Sequence, residues 1–426
     1  MKKALSILLA AATAVSVCGG LAACGGDDST TITVWAPVKS IAGYKQVAAD
    51  WKKAHSEYKD WTIKFSAHEE SVVQTDLGND MSNKGDIFFF PSDHLYKLVQ
   101  KKAVAQLPQS YAEEVAGRDH EDVVEYAKNG EGKNPYAYPA TYDNGYMLYY
   151  DKDLVGEKDI ESLDTLQAAA KSKKLPFIWE YSNGYYSCSM FLAAGITFDY
   201  NADHTKYNTN VNSDEGKAVL KACYDYLNPD TNGNGTSPTL IVSDQADTKL
   251  PDGFGNKQII AGVGGSWVWP QIKASVELGG RVAEDVIGVT VLPKFTYQLN
   301  GKDVTKNMYS LIGGKFCGVN AQKPKDKQKA AHSLASYLTG YEGQKVRFQT
   351  TNAGPSNKEL AAEDEIKNNM VLQAFQAQKE FGYTQNDQPD AFWSANLLSK
   401  ISTGDIGISD ISKSISDWAD LLIKSV

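Results

Sequence analysis

The sequence predicts an α/β protein made of two lobes, each a doubly wound sheet covered by helices, with a helical C-terminal region. Three observations predict this fold class: strand-like and helix-like segments alternate from residue 32 onward, a second strand-rich block begins at Pro135, and the chain beyond residue 325 has mostly helical periodicity. With 426 residues, 42% hydrophobic and 22% charged, the chain is long enough for two domains, and its composition excludes general disorder.

The first lobe begins with three strand–helix pairs. Strands are predicted at Ile32–Ala36, Trp61–Ser66 and Asp86–Pro91, because β-branched and aromatic residues are concentrated there. Apolar residues recur at three- and four-residue steps across residues 41–58, which predicts an amphipathic helix facing a sheet. Ser92 is expected to cap the next helix. Consecutive pairs of this kind predict parallel strands in a doubly wound sheet.

The second lobe shows the same alternation, and helices follow it. Strands are predicted at Tyr146–Tyr150, Pro176–Glu180 and Val286–Pro293, a helix at Asp164–Ser172 and a loop at residues 201–212. The C-terminal helices are predicted at Ala330–Phe348, Glu363–Gln378, Ala391–Ile401 and Ile408–Leu422.

The first residues predict export and lipidation. Two lysines precede the apolar run Ala4–Val17, which has the length of a signal-peptide core and is too short for a membrane span. The run is followed by Leu21-Ala22-Ala23-Cys24, which resembles the lipobox of bacterial lipoproteins. We expect residues 1–23 to be a signal peptide, Cys24 to be lipidated and residues 24–31 to be a tether. The alternative is an ordinary secretory signal cut near the same point.

The net charge argues against nucleic-acid and lipid-surface binding, and the cysteine spacing argues against disulfide and zinc sites. Fifty-two acidic residues against 43 basic ones give a net charge of −9, so the chain lacks the positive surface that nucleic acid or anionic lipid would need. No second apolar stretch of membrane-spanning length follows the signal, which predicts a soluble extracellular body. Cys188, Cys223 and Cys317 show no disulfide or zinc spacing, and we expect them to be buried small residues.

Motifs typical of catalysis and metal binding are missing from the sequence. Its six histidines show no metal-binding spacing. Residues 262–266 lack the lysine of a phosphate-binding loop and the trailing glycine of a nucleophile elbow. Residues 230–241 begin like a calcium-binding loop but end in Ile241 instead of glutamate. We predict no catalytic residue, cofactor or metal, although a glycosidase-like pair of carboxylates stays open.

Aromatic residues lie beside turn residues, outside helical stripes. Examples are Trp35-Ala36-Pro37, Phe90-Pro91, Trp179 with Tyr181, Tyr185-Tyr186, Trp267, Trp269-Pro270 and Phe392-Trp393. Rings at the carboxyl ends of strands in α/β lobes face the crevice where ligands bind. An aromatic plane stacks on the apolar face of a sugar, and Asp93, Asp143 and Asn183 are placed to bind its hydroxyl groups. The pattern predicts a sugar-binding cleft; for any single ring, core packing is the alternative.

Seven segments occur in an order shared with one protein family. They are Gly85–Phe90, Ala137–Pro139, Tyr149–Leu154, Gly265–Trp269, Gly288–Pro293, Gly318–Ala321 and Ala391–Trp393. With the lipobox, they make the chain resemble the extracellular carbohydrate-binding proteins of ABC importers, in particular maltose- and maltodextrin-binding proteins. The resemblance implies a two-lobed, periplasmic-binding-protein-like fold with hinge-linked lobes. Lobe 1 would comprise residues 32–142 and 315–364, and lobe 2 residues 143–314 and 365–426.

The resemblance also implies a set of sugar-binding residues. Trp267 and Trp393 match the second-lobe tryptophans of the family without change. Phe90 stands where the family has a stacking tryptophan. The other matches are Asp93 and His94 for an acid and a base, Asp143 for a glutamate, Tyr185 with Asn183 for a tyrosine and a preceding acid, and Glu69 or Glu70 for a first-lobe acid. A lysine of the family has no secure counterpart within residues 38–40.

These inferences predict a lipid-anchored receptor that captures an oligosaccharide between its lobes and delivers it to an ABC permease. The aromatic residues favour an α-glucan, in particular a malto-oligosaccharide. We expect a monomer on the outer face of the cell membrane of a Gram-positive bacterium. The alternatives are a secreted glycoside hydrolase, which also needs rings and carboxylates, and a peptide or metal receptor, which the rings and the dispersed histidines disfavour.

Overall fold

The computed structural model describes residues 29–78, 81–128, 133–180, 184–227, 240–242, 246–394 and 397–424. The predicted signal peptide and Cys24 lie outside the described residues, as do most of the predicted tether and of the segment 230–241.

Fifteen strands lie within the described residues. They are β1 Thr31–Ala36, β2 Thr62–Ala67, β3 Ile87–Pro91, β4 Tyr138–Asn144, β5 Tyr146–Asp151, β6 Phe177–Trp179, β7 Phe198–Tyr200, β8 Tyr207–Thr209, β9 Leu240–Val242, β10 Ala261–Gly265, β11 Ile287–Thr290, β12 Lys294–Leu299, β13 Lys302–Asn307, β14 Ser310–Val319 and β15 Gly382–Thr384.

The described residues also form α-helices and short 3-10 helices. The α-helices are α1 Ile41–Ala54, α2 Val73–Leu77, α3 Leu95–Gln100, α4 Gln109–Arg118, α5 Glu121–Tyr126, α6 Leu163–Lys173, α7 Gly184–Ser187, α8 Ser189–Ala193, α9 Asp214–Leu227, α10 Ala246–Gly255, α11 Trp269–Leu278, α12 Ala283–Val286, α13 Lys325–Leu338, α14 Tyr341–Thr351, α15 Lys358–Ala361, α16 Asp364–Lys367, α17 Met370–Gln378, α18 Asp390–Trp393, α19 Leu397–Thr403 and α20 Ile411–Lys424. The 3-10 helices are Val38–Ser40, Ser56–Tyr58, Glu70–Val72, Ser92–His94, Glu157–Asp159, Ser266–Val268, Lys379–Phe381 and Ile408–Asp410.

The first sheet has the strand order β15-β14-β3-β1-β2, and β4 also pairs with β14. β1 is parallel to β2 and β3, as the predicted strand–helix pairs require. β14 comes from far along the chain and runs antiparallel to β3 and β4. Strand β3 is buried along its whole length, because Phe88 and Phe90 pack into one core cluster and Ile87 and Phe89 into another.

The second sheet has the strand order β11-β5-β10-β6-β9. β6 is parallel to β9 and β10, whereas β5 is antiparallel to β10 and β11. The hairpins β7–β8 and β12–β13 lie beside this sheet. Helix α20 packs Ile415, Trp418 and Leu422 into the core cluster that contains Phe177 and Trp179, so the C-terminal helix belongs to the second lobe's core.

Several segments connect the two sheets. β4 and β5 are separated only by Gly145, where a Cβ would lie 2.8 Å from the Leu311 carbonyl oxygen and 2.8 Å from the Phe375 ring. β14 follows the β12–β13 hairpin and then enters the first sheet. After β15, residues 385–389 lead to α18, which packs on α20. The connections are tight, and they bring the two sheets close to each other.

The first three predicted strands are confirmed to within one residue at each end, but other elements differ. Ser92 does not cap α3; it starts a 3-10 helix, and its Oγ donates a hydrogen bond to the Gln385 carbonyl oxygen at 3.2 Å. The predicted loop 201–212 contains β8 and the turn of the β7–β8 hairpin. The predicted helix Ala330–Phe348 is two helices, because the chain is extended at Gly340, the N-cap of α14.

Two predictions from composition concern buried thiols and membrane spans. Cys188, Cys223 and Cys317 are buried free thiols, as predicted, and they pack into apolar clusters. No helix in the described part of the chain is both long and apolar enough to cross a membrane.

Candidate functional site

An open cavity of about 530 Å³ lies between the two sheets. Its walls come from residues that follow β1, β2 and β3 in the first sheet, from residues that follow β6 and β10 in the second, and from the connecting segments. The lining residues are Pro37, Val38, Lys39, Glu69, Glu70, Ser71, Pro91, Asp93, His94, Asp143, Asn144, Tyr185, Tyr186, Asp247, Ser266, Trp267, Gln271, Lys315, Arg347, Thr351, Ala353, Gln385 and Trp393. Loops at the carboxyl ends of parallel strands converge there, which is the usual position of a ligand site in α/β sheets.

Trp267 presents its indole ring at the end of β10. It lies in the 3-10 helix Ser266–Val268, directly after a buried, glycine-rich strand. The ring is half-buried, and its Nε1 donates a hydrogen bond to Asp247 Oδ2 at 3.0 Å. Burial raises the pKa of the Asp247 carboxyl, and the hydrogen bond from Trp267 opposes that shift. A ring fixed in this way is available for stacking on a ligand.

Two further half-buried rings, Tyr185 and Trp393, line the same cavity. Tyr185, in α7, packs edge-on against Tyr146 with ring centroids 5.1 Å apart. Trp393 ends α18 and packs edge-on against Phe392 at 4.9 Å. Tyr146 and Phe392 are buried, so each cavity ring is supported by an aromatic residue of the core.

Asp143 is a buried carboxylate on β4. Its Oδ2 accepts a hydrogen bond from Ser266 Oγ, which joins β4, a strand of the first sheet, to the residue that precedes Trp267. Burial raises the pKa of Asp143, whereas hydrogen bonds from Ser266 and from the Gly354 backbone oppose that shift. The carboxylate oxygens are acceptors at which hydroxyl groups of a ligand can bind.

Asp93 and His94 lie in the 3-10 helix that follows β3. Asp93 is buried; its Oδ1 accepts a hydrogen bond from Gln385 Nε2 at 2.7 Å, and its Oδ2 lies 3.8 Å from His94 Nε2. Burial lowers the pKa of His94, although the Asp93 carboxylate opposes that shift. Among the described residues, His94 Nδ1 is buried without a hydrogen-bond partner. One ring nitrogen of His94 is therefore not committed to another described residue.

Glu69 and Glu70 both line the cavity, but in different surroundings. Glu70 pairs with the buried Arg347: Nη1 lies 2.9 Å from Oε1, and Nη2 donates a hydrogen bond to Oε2 at 3.2 Å. Glu69 is exposed. Because the guanidinium occupies both oxygens of Glu70, Glu69 is the more accessible acid for a ligand.

Three cations on the cavity wall were missed or left unresolved by sequence reasoning. Lys39 follows β1; with the Gln271 amide oriented so that its nitrogen donates to the Trp267 carbonyl oxygen, its oxygen accepts a hydrogen bond from Lys39 Nζ. Lys315 is a charged residue in the otherwise buried strand β14, a pattern that could have identified it. Arg347 lies on α14, and no local pattern distinguishes it from a surface arginine.

The structure brings together most of the predicted sugar-binding residues. Those that line the cavity are Glu69, Glu70, Asp93, His94, Asp143, Tyr185, Trp267 and Trp393. Asn183 lies outside the described residues. Phe90 is a correction: it is 0% exposed and packs in the core against Phe88 and Phe316, with centroids 5.9 and 6.0 Å away. Alternate residues of a strand face opposite sides, and the next residue, Pro91, lines the cavity.

The cavity has two chemically different sides. Carboxylates and cations come mainly from loops of the first sheet and from α14, whereas the rings follow β6 and β10 or belong to α18. Such a site suits a ligand with apolar faces and many hydroxyl groups. Within the described ranges, no group of three or more His, Cys, Asp or Glu side chains is arranged to hold a metal ion.

Sequence comparison gives one family match and several relatives. The family of bacterial extracellular solute-binding proteins matches residues 27–374. A galactooligosaccharide-binding protein of Bacillus subtilis (strain 168) is 23% identical over 429 residues, which cover 95% of this chain and 93% of that protein. A maltooligosaccharide ABC transporter solute-binding lipoprotein of Streptococcus pneumoniae is 24% identical over 357 residues, or 80% and 76% of the two chains.

Structural comparison gives the fold. The solved structure of a maltodextrin-binding protein from L. casei BL23, without ligand, matches with a TM-score of 0.73 at 21% identity. The match covers 92% of this chain and 98% of that one. It confirms the two-lobed α/β fold that the sequence predicts.

Proposed function

The chain belongs to the bacterial extracellular solute-binding proteins, and we propose that it captures an oligosaccharide between its lobes and delivers it to the permease of an ABC transporter. The observation that supports this best is the cavity, in which half-buried Trp267 and Trp393 face the same space as buried Asp93 and Asp143. Rings stack on the apolar faces of a sugar, and the carboxylates bind hydroxyl groups whose burial would otherwise cost about 1–3 kcal/mol each.

We infer that the ligand is an α-glucan, in particular a malto-oligosaccharide. The names of the pneumococcal relative and of the L. casei protein support this class. A galacto-oligosaccharide is the second candidate, because the B. subtilis relative named for that ligand matches over more of the chain.

We propose that the protein binds the sugar without cleaving it and without a cofactor or metal. Glycoside hydrolysis needs one carboxyl group as acid and a second as nucleophile or base, on opposite sides of the bond. Here Asp143 is hydrogen-bonded to Ser266, Asp93 to Gln385, and Glu70 is paired with Arg347. These partners support a role for the carboxylates as fixed acceptors.

Closure of the lobes around the ligand is part of the proposal. We assign residues 32–142 and 315–364 to lobe 1 and residues 143–314 and 365–426 to lobe 2, with the connecting segments as hinges. Small-angle X-ray scattering is expected to show a smaller radius of gyration with bound sugar. The absence of compaction with a sugar that binds would contradict closure.

We further propose that a lipid on Cys24 holds the protein, as a monomer, on the outer face of a Gram-positive cell membrane. The lipobox-like sequence and the lipoprotein relative support this. The protein should fractionate with membranes, and Cys24→Ala should appear in the medium. Membrane retention of Cys24→Ala would contradict the anchor.

A thermal-shift screen followed by calorimetric titration tests the ligand class. Maltotriose and longer glucans are expected to raise the melting temperature, because a ligand that binds only the native state stabilises it. Shifts with galacto-oligosaccharides alone would reassign the sugar, and shifts with peptides or divalent cations alone would contradict sugar binding. Reducing ends that accumulate beyond one equivalent of protein would contradict a binder without catalysis.

A further inference from the structure

Gln385 lies where segments that connect the two lobes meet. Its backbone N–H donates a hydrogen bond to the Ile312 carbonyl oxygen on β14 at 2.8 Å. Its side-chain Oε1 accepts a hydrogen bond from Asn144 Nδ2, at the end of β4. The residue follows β15, is 6% exposed and lines the cavity. One side chain therefore contacts β4 while its own backbone is fixed on β14.

The remaining side-chain atom of this amide, Nε2, donates a hydrogen bond to Asp93 Oδ1 at 2.7 Å. The orientation of the amide is determined by its neighbours. If the amide were turned over, its NH₂ group would face the Asn144 NH₂ group and its oxygen would face a carboxylate, and both contacts would be repulsive. Asn144 thus fixes the amide of Gln385, and the amide fixes one oxygen of Asp93.

Gly313 and Ser92 both lie close to Gln385. A Cβ on Gly313 would lie 3.1 Å from both Cβ and Oε1 of Gln385, and 2.5 Å from Ser92 Oγ. The Ser92 hydroxyl itself donates to the Gln385 carbonyl oxygen at 3.2 Å. The missing side chain of Gly313 thus leaves the space that the Gln385 side chain occupies, and Ser92 holds the Gln385 backbone.

We propose that Gln385 is a positioning residue for sugar binding, which holds the Asp93 carboxylate in the orientation that a sugar hydroxyl meets. This inference rests on the proposed function and adds to it a residue from outside the predicted set. Asp93 keeps Oδ2 for other partners, with His94 Nε2 3.8 Å away. A carboxylate with one oxygen fixed presents a defined acceptor, which reduces the ordering that a ligand would otherwise have to impose.

The charged and titratable groups near this contact come from several elements. Asp93 and His94 lie on the 3-10 helix after β3, Lys97 on α3, Lys315 on β14 and Asp387 two residues beyond Gln385. These groups are present in the wild type and in each variant, so they contribute to the pH dependence of affinity in both. The effect of a substitution is therefore expressed as the ratio of the variant's dissociation constant to the wild-type value at the same pH.

The test is Gln385→Glu, which keeps the shape and the acceptor for Asn144 but places a carboxylate against Asp93. For maltotriose, or the best sugar of the screen, we expect the variant to bind about tenfold more weakly than wild type, or weaker still, near pH 8. Near pH 5 a proton shared by the two carboxyl groups should bring the ratio back toward one. A ratio that is the same at both pH values would overturn the proposal.

Gln388→Glu is the matched control. Gln388 is equally buried and lies on the same segment, but it donates to the Phe198 carbonyl oxygen at 2.8 Å and accepts from Tyr207, away from Asp93. This substitution is expected to lower the melting temperature without a pH-dependent affinity ratio. If Gln388→Glu gave the same pH-dependent ratio as Gln385→Glu, the effect would be general to the segment and the proposal would fail.

A sugar-free measurement separates this proposal from the proposed function. In the double variant Asp93→Asn/Gln385→Glu, position 93 supplies the donor and position 385 the acceptor. Its melting temperature near pH 8 should therefore be higher than that of Gln385→Glu alone. Recovery supports the positioning contact even if no sugar binds the wild type, in which case only the proposed function fails. A double variant that melts no higher than Gln385→Glu would overturn the contact.

Discussion

The indole ring of Trp267 lies against the backbone of Gly265, so closely that a Cβ on Gly265 would come within 2.1–2.4 Å of three ring carbons. Gly265 has an extended backbone that any residue can adopt, with φ −88° and ψ −176°. The glycine is therefore needed for the space that it leaves and not for its conformational freedom. This contact, with the hydrogen bond to Asp247, holds the ring at the cavity wall.

Trp267→Ala is expected to weaken sugar binding about thirty- to a hundredfold, because a stacked indole buries on the order of 100 Å² of apolar surface, worth roughly 2–3 kcal/mol. The ring is only half-buried, so the loss of stability should be smaller than the ~3–5 kcal/mol of a core tryptophan. Calorimetric titration of the folded variant measures the affinity. Trp61→Ala, at a half-buried tryptophan outside the cavity, is the control and should bind normally. Wild-type affinity in Trp267→Ala would remove this residue from the site.

Gly265→Ala should reduce affinity by about tenfold or more, although it adds only a methyl group, because the indole must move away from the new Cβ. Titration and near-ultraviolet circular dichroism would report the lost affinity and the changed ring environment. The matched control is Gly117→Ala on α4, where a Cβ has no neighbour within 4 Å. That helical substitution should leave binding unchanged and raise stability slightly. Equal affinities in the two variants would contradict the prediction.

Glu70→Gln is expected to lower stability, whereas Glu69→Gln is expected to lower affinity. Glu70→Gln leaves the Arg347 guanidinium buried without its counter-ion, which should cost about 3–5 kcal/mol of unfolding free energy. Glu69→Gln changes an exposed residue, so stability should stay within about 0.5 kcal/mol while affinity falls. Urea unfolding and titration separate the two. If Glu69→Gln proved the less stable variant, the assignment of their roles would be reversed.

Stability should decrease as the pH falls from about 6.5 toward 4, in part because of His332. Burial lowers the pKa of His332 to about 4, and its Nδ1 lies 3.0 Å from the Tyr138 hydroxyl. Between these pH values the unfolded chain binds a proton that the folded protein does not, which favours unfolding. His332→Gln should therefore lose less stability over this interval, even if it is less stable at neutral pH. Parallel curves of unfolding free energy against pH would contradict this role.

Strands were predictable where the local sequence has high strand propensity. They were less predictable where neighbouring backbone or side chains come so close that the strand contains glycine. β1 and β3 have dense β-branched or aromatic residues and lie where predicted. β14 was missed because Gly313 and Gly314 lower its strand propensity; both positions face atoms that a Cβ would meet at 2.5–2.6 Å. The β12–β13 hairpin was missed although Asn300 and Gly301, both with positive φ, are a recognisable turn signal.

The site was predictable where a residue follows a strand and less so where distant segments meet. Trp267, Asp93 and Glu69 come directly after strands or within a few residues of them, so the fold class itself places them near the cleft. Phe90 was assigned to the site because it is aromatic, lies beside Pro91 and stands where the family has a stacking tryptophan, but none of these observations shows which side of the strand the ring faces. Arg347 lies on α14 and reaches the cavity only through tertiary packing, which local pattern does not report. Gln385 does follow a strand, but β15 has only three residues and was not predicted.

The position of β14 in the first sheet determines the order in which the chain can fold during synthesis. β14 lies between β15 and β3, so the pairing edge of Ile87–Pro91 has no antiparallel neighbour until residues 315–319 have been made. Until then the run Phe88-Phe89-Phe90 belongs to an open edge strand, which is prone to pair with other chains. A nascent chain that ends before β14 cannot complete the first sheet, and its folding must wait for a contact of long sequence separation, which makes that step slow.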